Sequence, residues 1–481
     1  MKIMEQREQL GSRLGFILLS AGCAIGIGNV WKFPYMVGQY GGGAFVLIYL
    51  FFLVILGIPV MTMEFAMGRA GQRSPARLYQ QLEPKGSKWH LHGYVAMAGN
   101  YILMMFYTSV AGWMLDYFVR TAGGRFVGAD TDGVAAQFSQ MLGDPLRMTL
   151  FMGIIVVLGF LVCSFSLQKG LERITKWMMV ALLVIMVVLA INSVCTAGGS
   201  QGLRFYLVPD LARMKKVGIG NVVAGAMNQA FFTLSLGIGA MAIFGSYIGK
   251  ERALMGESAR VAALDTLVAL CSGLIIFPAC FAYGVQPDSG PSLIFITLPN
   301  IFNHMPLGRV WGSLFFVFMS FAAFSTVLGV FENIVSCTMD LSGWSRKKAC
   351  LFNGILMLLL SMPCVLGFNV LSKFQPLGPG TGVLDLEDFV VSNLLLPLGS
   401  LIFIFFCTEY VIFAILILLL HLPLRLGLEE LYQRGQRRQG TESAALDAWL
   451  YVLCAAGTGG RNPGAGADPP LIKRQSRQIV A

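Results

Sequence analysis

Gly22-Cys23-Ala24-Ile25-Gly26-Ile27-Gly28-Asn29 lies within the first apolar segment of the chain, and Thr233-Leu234-Ser235-Leu236-Gly237-Ile238-Gly239 lies within the sixth. Glycine in a helix interior costs about 1 kcal/mol relative to alanine, and a membrane helix must satisfy its backbone polar groups internally. Two Gly-Ile-Gly cores at matching places in two halves of a chain therefore predict helices that stop and restart inside the membrane. Unwound backbone there would expose carbonyl groups to cations and amide groups to anions.

The composition is that of an integral membrane protein. Of the 481 residues, 56% are hydrophobic and 12% are charged, and the mean hydropathy is +0.69. A soluble domain has about 25% charged residues, and crossing a bilayer takes about 20 apolar residues. The apolar segments predict ten spans, at 13–37, 43–68, 93–120, 148–167, 171–195, 218–247, 258–283, 309–340, 348–369 and 388–407.

The arrangement of these spans predicts an inverted repeat. Spans 1–5 (13–195) and spans 6–10 (218–407) each begin with a broken helix. Because each half has five spans, the two halves enter the membrane from opposite sides. We therefore predict an all-α membrane protein with a 5+5 inverted repeat, in which spans 1 and 6 are discontinuous and residues 13–407 form the core. The apolar but proline-interrupted segment 284–307 is predicted to be an outer lid of short helices.

The ends of the chain differ from this core. Residues 1–12 are predicted to be a cytoplasmic tail. Residues 408–424 are apolar but short, and the sequence leaves open whether they form an eleventh span or extend span 10. The predicted number of spans is therefore ten to eleven. Residues 425–481 are first basic and then rich in Gly, Ala and Pro, which predicts a disordered tail.

The distribution of the positive charge, which gives a net charge of +10, indicates membrane topology rather than a nucleic-acid partner. The N-terminal tail and the four loops on its side carry 17 Lys and Arg residues, whereas the loops on the other side carry nine. This bias predicts that the N-terminus is cytoplasmic, on the side called inner below. The expected partner is the lipid bilayer, and no nucleic acid is expected. The sequence has no Asn-x-Ser/Thr sequon, which favours a bacterial plasma membrane.

Ionisable residues inside the predicted spans are candidates for function. Glu64 is predicted to hold the unwound backbone of a broken helix. Asp265, about two turns into span 7, is predicted to handle an ion directly, whereas Glu332 is open to a functional or a packing role. Ser325 and Thr326 place two adjacent hydroxyl groups in span 8, where they bind an ion only if span 8 lies beside the broken first helix.

Charged residues at both mouths of the bundle predict two gates. Lys32 and Asp388 are expected to meet at the outer mouth, and Arg7 and Asp340 at the inner mouth. Exposed ion pairs contribute only about 0–1 kcal/mol, which suits contacts that must open, although solvated charge is also normal at helix ends. The sequence contains no nucleotide-binding motif, no His/Cys metal cluster and no nucleophile triad, so we expect no enzymatic activity.

The order and spacing of these motifs resemble the neurotransmitter:sodium symporter family, especially its bacterial amino-acid transporters. The residues that carry the resemblance are Arg13-Leu14-Gly15-Phe16, Gly22 to Asn29, Lys32-Phe33-Pro34-Tyr35, Gly41-Gly42-Gly43-Ala44-Phe45, Gly57-Ile58-Pro59, Glu64 to Arg69, Gln229 to Gly237 and Asp388-Phe389. They span about residues 5–405. The resemblance implies the LeuT fold and sodium-coupled symport by alternating access, with an amino acid and two sodium ions held between spans 1, 3, 6, 7 and 8.

The resemblance also implies which residues form the sites. The first sodium site would use Ala24, Asn29, Thr233 and Asp265, together with the substrate carboxylate. The second would use the carbonyl groups of Gly22, Ile25 and Ala322 and the hydroxyl groups of Ser325 and Thr326. The substrate would contact Ala24, Gly26, Leu103, Tyr107, Phe232, Ser235, Ile238, Val327 and Val330.

Two positions refine this expectation. Gly26 stands where monoamine transporters carry an aspartate, which implies a substrate that brings its own carboxylate, a hydrophobic L-amino acid. Asp265, with Tyr49 and Gln229, stands where chloride-dependent members bind an anion, which implies chloride-independent transport.

Several alternatives stay open. One is a non-transporting amino-acid sensor or scaffold with the same fold, and another is coupling to protons through Asp265. Proton exchange on the return step of a sodium symporter also stays open. The sequence determines neither which amino acid is bound nor the oligomeric state.

Overall fold

The computed structural model describes residues 10–408 except 197, 250 and 283–291. Helices are the regular elements of this part of the chain. Eight continuous helices are long and apolar enough to cross a membrane. They are spans 2 (Gly43–Gly71), 3 (His90–Ala122), 4 (Pro145–Ser164), 5 (Gly170–Val194), 7 (Leu254–Ala282), 8 (Gly308–Ser342), 9 (Arg346–Leu366) and 10 (Val383–Cys407).

Spans 1 and 6 are the two broken helices, as predicted. Span 1 consists of Arg13–Ala24 and Gly28–Gln39, which meet at an angle of 55°. Span 6 consists of Ile219–Thr233 and Ala240–Gly245. By length and composition, the described residues thus contain eight membrane-crossing helices, or nine when the bent pair of span 1 is taken as one span, and the two segments of predicted span 6 lie between spans 5 and 7 in the chain.

Some predictions concern residues outside the described part of the chain. These are the inner-gate residue Arg7, the alternatives for residues 409–424, the tail 425–481 and the first part of the lid. The described part of the lid consists of short helical segments, as expected, at Leu293–Thr297 and Leu298–His304.

The break in span 1 is short. Ile25 leaves the helix with φ −69° and ψ 104°, and the chain resumes as a π-helical turn at Gly28–Lys32. A Cβ atom at Gly26 would collide with the hydroxyl groups of Tyr107 and Thr326. The backbone of span 1 can therefore approach spans 3 and 8 closely only because residue 26 is glycine.

The break in span 6 is longer and more contorted. Ser235, Gly237 and Gly239 have φ angles of 52°, 94° and 72°. Glycine adopts such angles at little cost, whereas serine rarely does. A Cβ atom at Gly237 would collide with the carbonyl oxygen of Leu396, so span 10 packs directly on this break.

The other spans enclose the two breaks. Spans 3 and 8 are the most buried of the continuous spans. They contact each other, and span 8 also packs on the first half of span 1. Spans 2, 5 and 10 contain π-helical turns at Leu53–Gly57, Leu167–Glu172 and Val390–Leu395. The sequence analysis did not predict these turns, which are frequent near functional sites.

Candidate functional site

Asp265 joins the two broken helices. Its side chain is fully buried. Asn29 of span 1 donates a hydrogen bond of 2.8 Å from Nδ2 to Oδ1, and Thr233 of span 6 donates one of 2.9 Å from Oγ1 to Oδ2. Three of the four residues expected at the first sodium site are therefore in direct contact. The fourth, Ala24, lies at the end of the first half of span 1.

The five residues expected at the second sodium site also lie together. The Ser325 hydroxyl is 3.2 Å from the carbonyl oxygen of Ile25 and 2.9 Å from that of Ala322. The Thr326 hydroxyl is 3.1 Å from the oxygen of Ile25 and 3.5 Å from that of Gly22. Five oxygen atoms of spans 1 and 8 thus converge on one place.

The backbone amide groups at the span 1 break donate hydrogen bonds to side chains. The Ile27 amide donates to the Tyr107 hydroxyl at 2.8 Å, and the Gly26 amide donates to Asn29 Oδ1 at 3.1 Å. Both bonds are buried. These amide groups and the tyrosine hydroxyl are the polar groups that a ligand carboxylate would meet.

A small, largely apolar cavity of about 20 Å³ lies between the two breaks. This is far below the range of about 300–1,000 Å³ for small-molecule sites, so the lining residues would have to move apart to admit a substrate. Its lining residues are Ala24, Gly26, Gly28, Leu103, Tyr107, Phe232, Ser235, Thr326 and Leu396. Six of the nine predicted substrate residues are in this lining.

The remaining three predicted substrate residues are buried but do not line the cavity. Ile238 faces Gly99 of span 3, and a methyl group of Val327 faces Gly159 of span 4. Val330 is completely buried in span 8. Their placement depends on the rotation of spans 6 and 8, which the sequence pattern did not determine. Conversely, sequence reasoning did not place Gly28, Thr326 and Leu396 in the pocket.

Glu64 holds the span 6 break from span 2. The amide of Gly237 donates to Oε1 at 2.6 Å, and the amide of Met241 donates to Oε2 at 3.2 Å. Asn100 Nδ2 of span 3 donates a hydrogen bond of 2.8 Å to the carbonyl oxygen of Ile238 on the same break. The role predicted for Glu64 is therefore confirmed, and Asn100 is an additional contact that the sequence did not indicate.

Glu332, the third intramembrane carboxylate, is a link between spans. Arg346 at the start of span 9 donates to both of its oxygens, at 2.7 and 2.9 Å. Tyr247, which follows span 6, donates to Oε1 at 2.7 Å. Of the two roles left open for Glu332, the structure supports a packing contact among spans 6, 8 and 9.

The outer-gate pair is formed. Lys32 Nζ lies 3.1 Å from Asp388 Oδ1 and 2.8 Å from the hydroxyl oxygen of Ser392. The ammonium group is also 3.9 Å from the ring centroid of Phe232, which lines the cavity. The outer ion pair therefore closes directly over the cavity.

Asp340 at the inner mouth binds the segment that follows span 2. The Ser74 amide donates to Oδ2 at 2.6 Å, and Arg73 Nη1 lies 3.5 Å from Oδ1. The predicted partner Arg7 is outside the described residues. Asp340 thus holds Arg73 and Ser74 at the inner mouth, a contact that the sequence analysis did not identify.

Tyr49 and Gln229, expected beside Asp265, are both buried. Gln229 Nε2 donates a hydrogen bond of 3.0 Å to the carbonyl oxygen of Gly28. This bond links the two broken spans. Tyr49 packs on Phe33 with ring centroids 5.0 Å apart.

Comparison with known proteins identifies the family and several relatives of this chain. The model of the sodium:neurotransmitter symporter family matches residues 7–126 and 134–385. An uncharacterized sodium-dependent transporter of Bacillus subtilis, YhdH, is 33% identical over 445 residues, which cover 92% of this chain and 94% of the relative. A sodium-dependent serotonin transporter of Drosophila melanogaster is 25% identical and covers 79% of this chain and 68% of its own length.

A solved structure is similar over most of the chain. The crystal structure of MhsT in complex with L-phenylalanine has a TM-score of 0.77 and 38% identity, and the match covers 83% of this chain and 90% of MhsT. One expectation needs correction. The resemblance was expected to span about residues 5–405, but an alignment with YhdH that covers 92% of the 481 residues continues beyond residue 405.

Proposed function

This chain belongs to the sodium:neurotransmitter symporter family, a family of transporters rather than enzymes, and on that premise we propose that it couples the uptake of hydrophobic L-amino acids to sodium without requiring chloride. The observation that carries the proposal is the contact of the buried Asp265 carboxylate with Asn29 and Thr233. This contact brings the two broken helices together beside the residues that line the cavity.

A sodium ion would compensate the buried charge of Asp265. An unpaired carboxylate inside a membrane protein is costly, and a hard cation prefers oxygen ligands such as carboxylate, amide and carbonyl oxygens. Asn29, Thr233 and Ala24 supply such oxygens around Asp265. If the substrate carboxylate completes this set, sodium and substrate each strengthen the binding of the other by the same factor.

A second ion would bind between spans 1 and 8. The hydroxyl groups of Ser325 and Thr326 donate to backbone carbonyl groups of span 1. With a sodium ion in their midst, the hydroxyl protons would turn away and five oxygens would face the cation. The ion would then replace these hydrogen bonds as the link between spans 1 and 8. Its release would free the inner half of span 1.

The cavity suits the two ends of a hydrophobic amino acid differently. The substrate carboxylate would meet Tyr107 and the amide groups near Gly26, and the apolar side chain would lie against Leu103 and Phe232. The lining residues include no charged side chain, which disfavours charged amino acids. The L-phenylalanine bound to the similar protein MhsT supports a substrate of this class.

Asp265 is also the basis for independence from chloride. It provides a fixed negative charge between spans 1, 6 and 7, where an anion would otherwise be needed to balance a sodium ion. We further propose a bacterial plasma membrane as the location, with the N-terminus in the cytoplasm. The Bacillus subtilis relative and the positive charge of the inner loops support this placement.

Uptake into proteoliposomes tests the proposal. Labelled L-phenylalanine and L-leucine would be offered with an inward sodium gradient, with choline in place of sodium, and with gluconate in place of chloride. We expect accumulation that requires sodium and is unchanged in gluconate. Asp265→Asn should abolish sodium-driven uptake, whereas Asp385→Asn, at an exposed carboxylate of span 10, should not. Uptake driven by a pH gradient without sodium, or binding without uptake, would contradict the proposal.

A further inference from the structure

Glu387 is a buried carboxylate to which the transport scheme gives no role. It lies near the outer end of span 10, next to Asp388, and its exposed fraction is only 6%. Apart from the weak donor Cys364 Sγ, neither of its oxygens has a hydrogen-bond partner among the described residues. By contrast, Glu64, Asp265 and Glu332 each accept at least two hydrogen bonds from side chains or backbone amides.

The surroundings of Glu387 favour a neutral side chain. On its own span, Asp385 accepts a bond from the Gly382 amide, and Asp388 pairs with Lys32. Span 9 places the Cys364 thiol beside Glu387, and Ser109 of span 3 lies next to that thiol. The described structure thus shows no cation paired with Glu387, and its burial disfavours an unpaired charge.

A buried carboxylate in this situation is far less costly when it carries a proton. In the closed arrangement of the outer gate, protonation of Glu387 removes the cost of an unpaired buried charge. The thiol of Cys364 is only a weak hydrogen-bond donor, so it does not replace an ion pair.

Glu387 is also placed to respond when the outer gate opens. It belongs to a seven-residue helical segment, Val383–Phe389, that is followed immediately by the π-helical turn Val390–Leu395. Ser392 of this turn donates to Asp388 at 2.7 Å. Separating Lys32 from Asp388 releases a contact that holds the segment carrying Glu387, and π-helical turns are frequent at functional sites.

We propose that Glu387 is a proton-binding site linked to the outer gate, occupied by a proton when the gate is closed and empty when the gate is open to water. The proposal rests on the transport function proposed above, because it requires that the contact between Lys32 and Asp388 opens. The proton is taken up from and returned to the outer solution. It therefore regulates the gate and is not itself transported.

The consequence follows from proton linkage. If the closed state holds one proton more than the open state, the ratio of closed to open molecules falls by up to about tenfold for each unit of rising pH. The sign is fixed: acid closes the outer gate and alkali opens it. A closed gate traps the substrate, so its dissociation should be slow in acid and fast in alkali.

Two readouts on the purified full-length protein test the proposal. The first is the dissociation rate of labelled L-phenylalanine in sodium between pH 5.5 and 8.5. The second is hydrogen exchange of residues 383–389, corrected for the intrinsic pH dependence of exchange, which requires no substrate. In the wild type, we expect the dissociation rate and the corrected exchange rate each to change by up to tenfold per pH unit over part of this range. In Glu387→Gln, each rate should change by less than twofold between pH 5.5 and 8.5.

Asp385→Asn is the matched control, because it removes an exposed carboxylate two residues away on the same segment. It should keep the wild-type pH profile. A Glu387→Gln variant with the wild-type profile, or a wild type without pH dependence in hydrogen exchange, would overturn the proposal. If L-phenylalanine does not bind, the proposed substrate class fails, yet the exchange measurement still decides whether Glu387 controls the gate.

Discussion

The two breaks share a Gly-Ile-Gly core, yet the structure builds them differently. The break of span 1 contains no residue with positive φ and is held by neutral groups, the Tyr107 hydroxyl and the Asn29 amide. The break of span 6 has three residues with positive φ and is held by the Glu64 carboxylate. A charged acceptor forms stronger hydrogen bonds than a neutral one. The break of span 6 is thus the fixed half of the site, and that of span 1 is the half that ligands can rearrange.

This difference predicts that substitutions at the span 6 break lower stability, whereas substitutions at the span 1 break lower ligand binding. Three experiments test it.

The largest effect is expected for Glu64→Ala. Two buried amides, of Gly237 and Met241, lose a charged acceptor, and each such bond contributes about 1.5–3 kcal/mol. We expect a loss of about 3 kcal/mol or more, seen as a large drop in the thermal unfolding midpoint of the protein in detergent. Glu64→Gln keeps one acceptor oxygen and should lose less. If Glu64→Ala unfolds at the wild-type temperature, the span 6 break is not held by Glu64.

The next largest effect is expected when glycine is replaced by alanine in each break, because the same substitution should affect the two breaks differently. Gly237→Ala forces a left-handed backbone on alanine and pushes a methyl group into the Leu396 carbonyl. Strain of this kind costs about 1–3 kcal/mol, so the unfolding midpoint should fall. Gly26→Ala meets only the ends of the Tyr107 and Thr326 side chains, so the protein should stay folded but bind L-phenylalanine poorly. The reverse pattern would contradict the assignment of the two breaks.

A smaller effect is expected for Tyr107→Phe, which removes the acceptor of the Ile27 amide. The loss of one such hydrogen bond costs about 0.5–1.5 kcal/mol. Equilibrium binding should therefore show an affinity for L-phenylalanine that is lower by roughly two- to tenfold. Tyr101→Phe is the control, since its hydroxyl bonds to Asn353 of span 9. Equal losses of affinity in the two variants would contradict a specific role of Tyr107.

Local sequence signals predicted the broken helices and singled out candidate residues, whereas the resemblance to the symporter family supplied their grouping into two expected ion sites. The glycine-flanked breaks mark where helices must unwind, and the hydroxyl pair Ser325–Thr326 and the carboxylate Asp265 stand out from apolar surroundings. Such signals are local, so they can be read along the chain. The structure places Ser325 and Thr326 against span 1, and it places Asp265 against spans 1 and 6. Their action as sodium ligands stays a prediction.

The parts that were not predicted depend on contacts between distant segments. Leu396 enters the pocket because Gly237 and Gly399 let span 10 approach the span 6 break. Nothing in the sequence near Leu396 indicates this. Similarly, the resemblance assigned Val327 and Val330 to the cavity, but the side of a helix that faces a cavity depends on how the whole helix is rotated.

The most direct test of the account is binding of L-phenylalanine to the purified protein as sodium is titrated, in chloride and in gluconate. We predict no specific binding in choline, saturable binding that rises with sodium, and identical curves in the two anions. The same binding in choline as in sodium would contradict the central claim that Asp265 and the two broken helices form a sodium-coupled site.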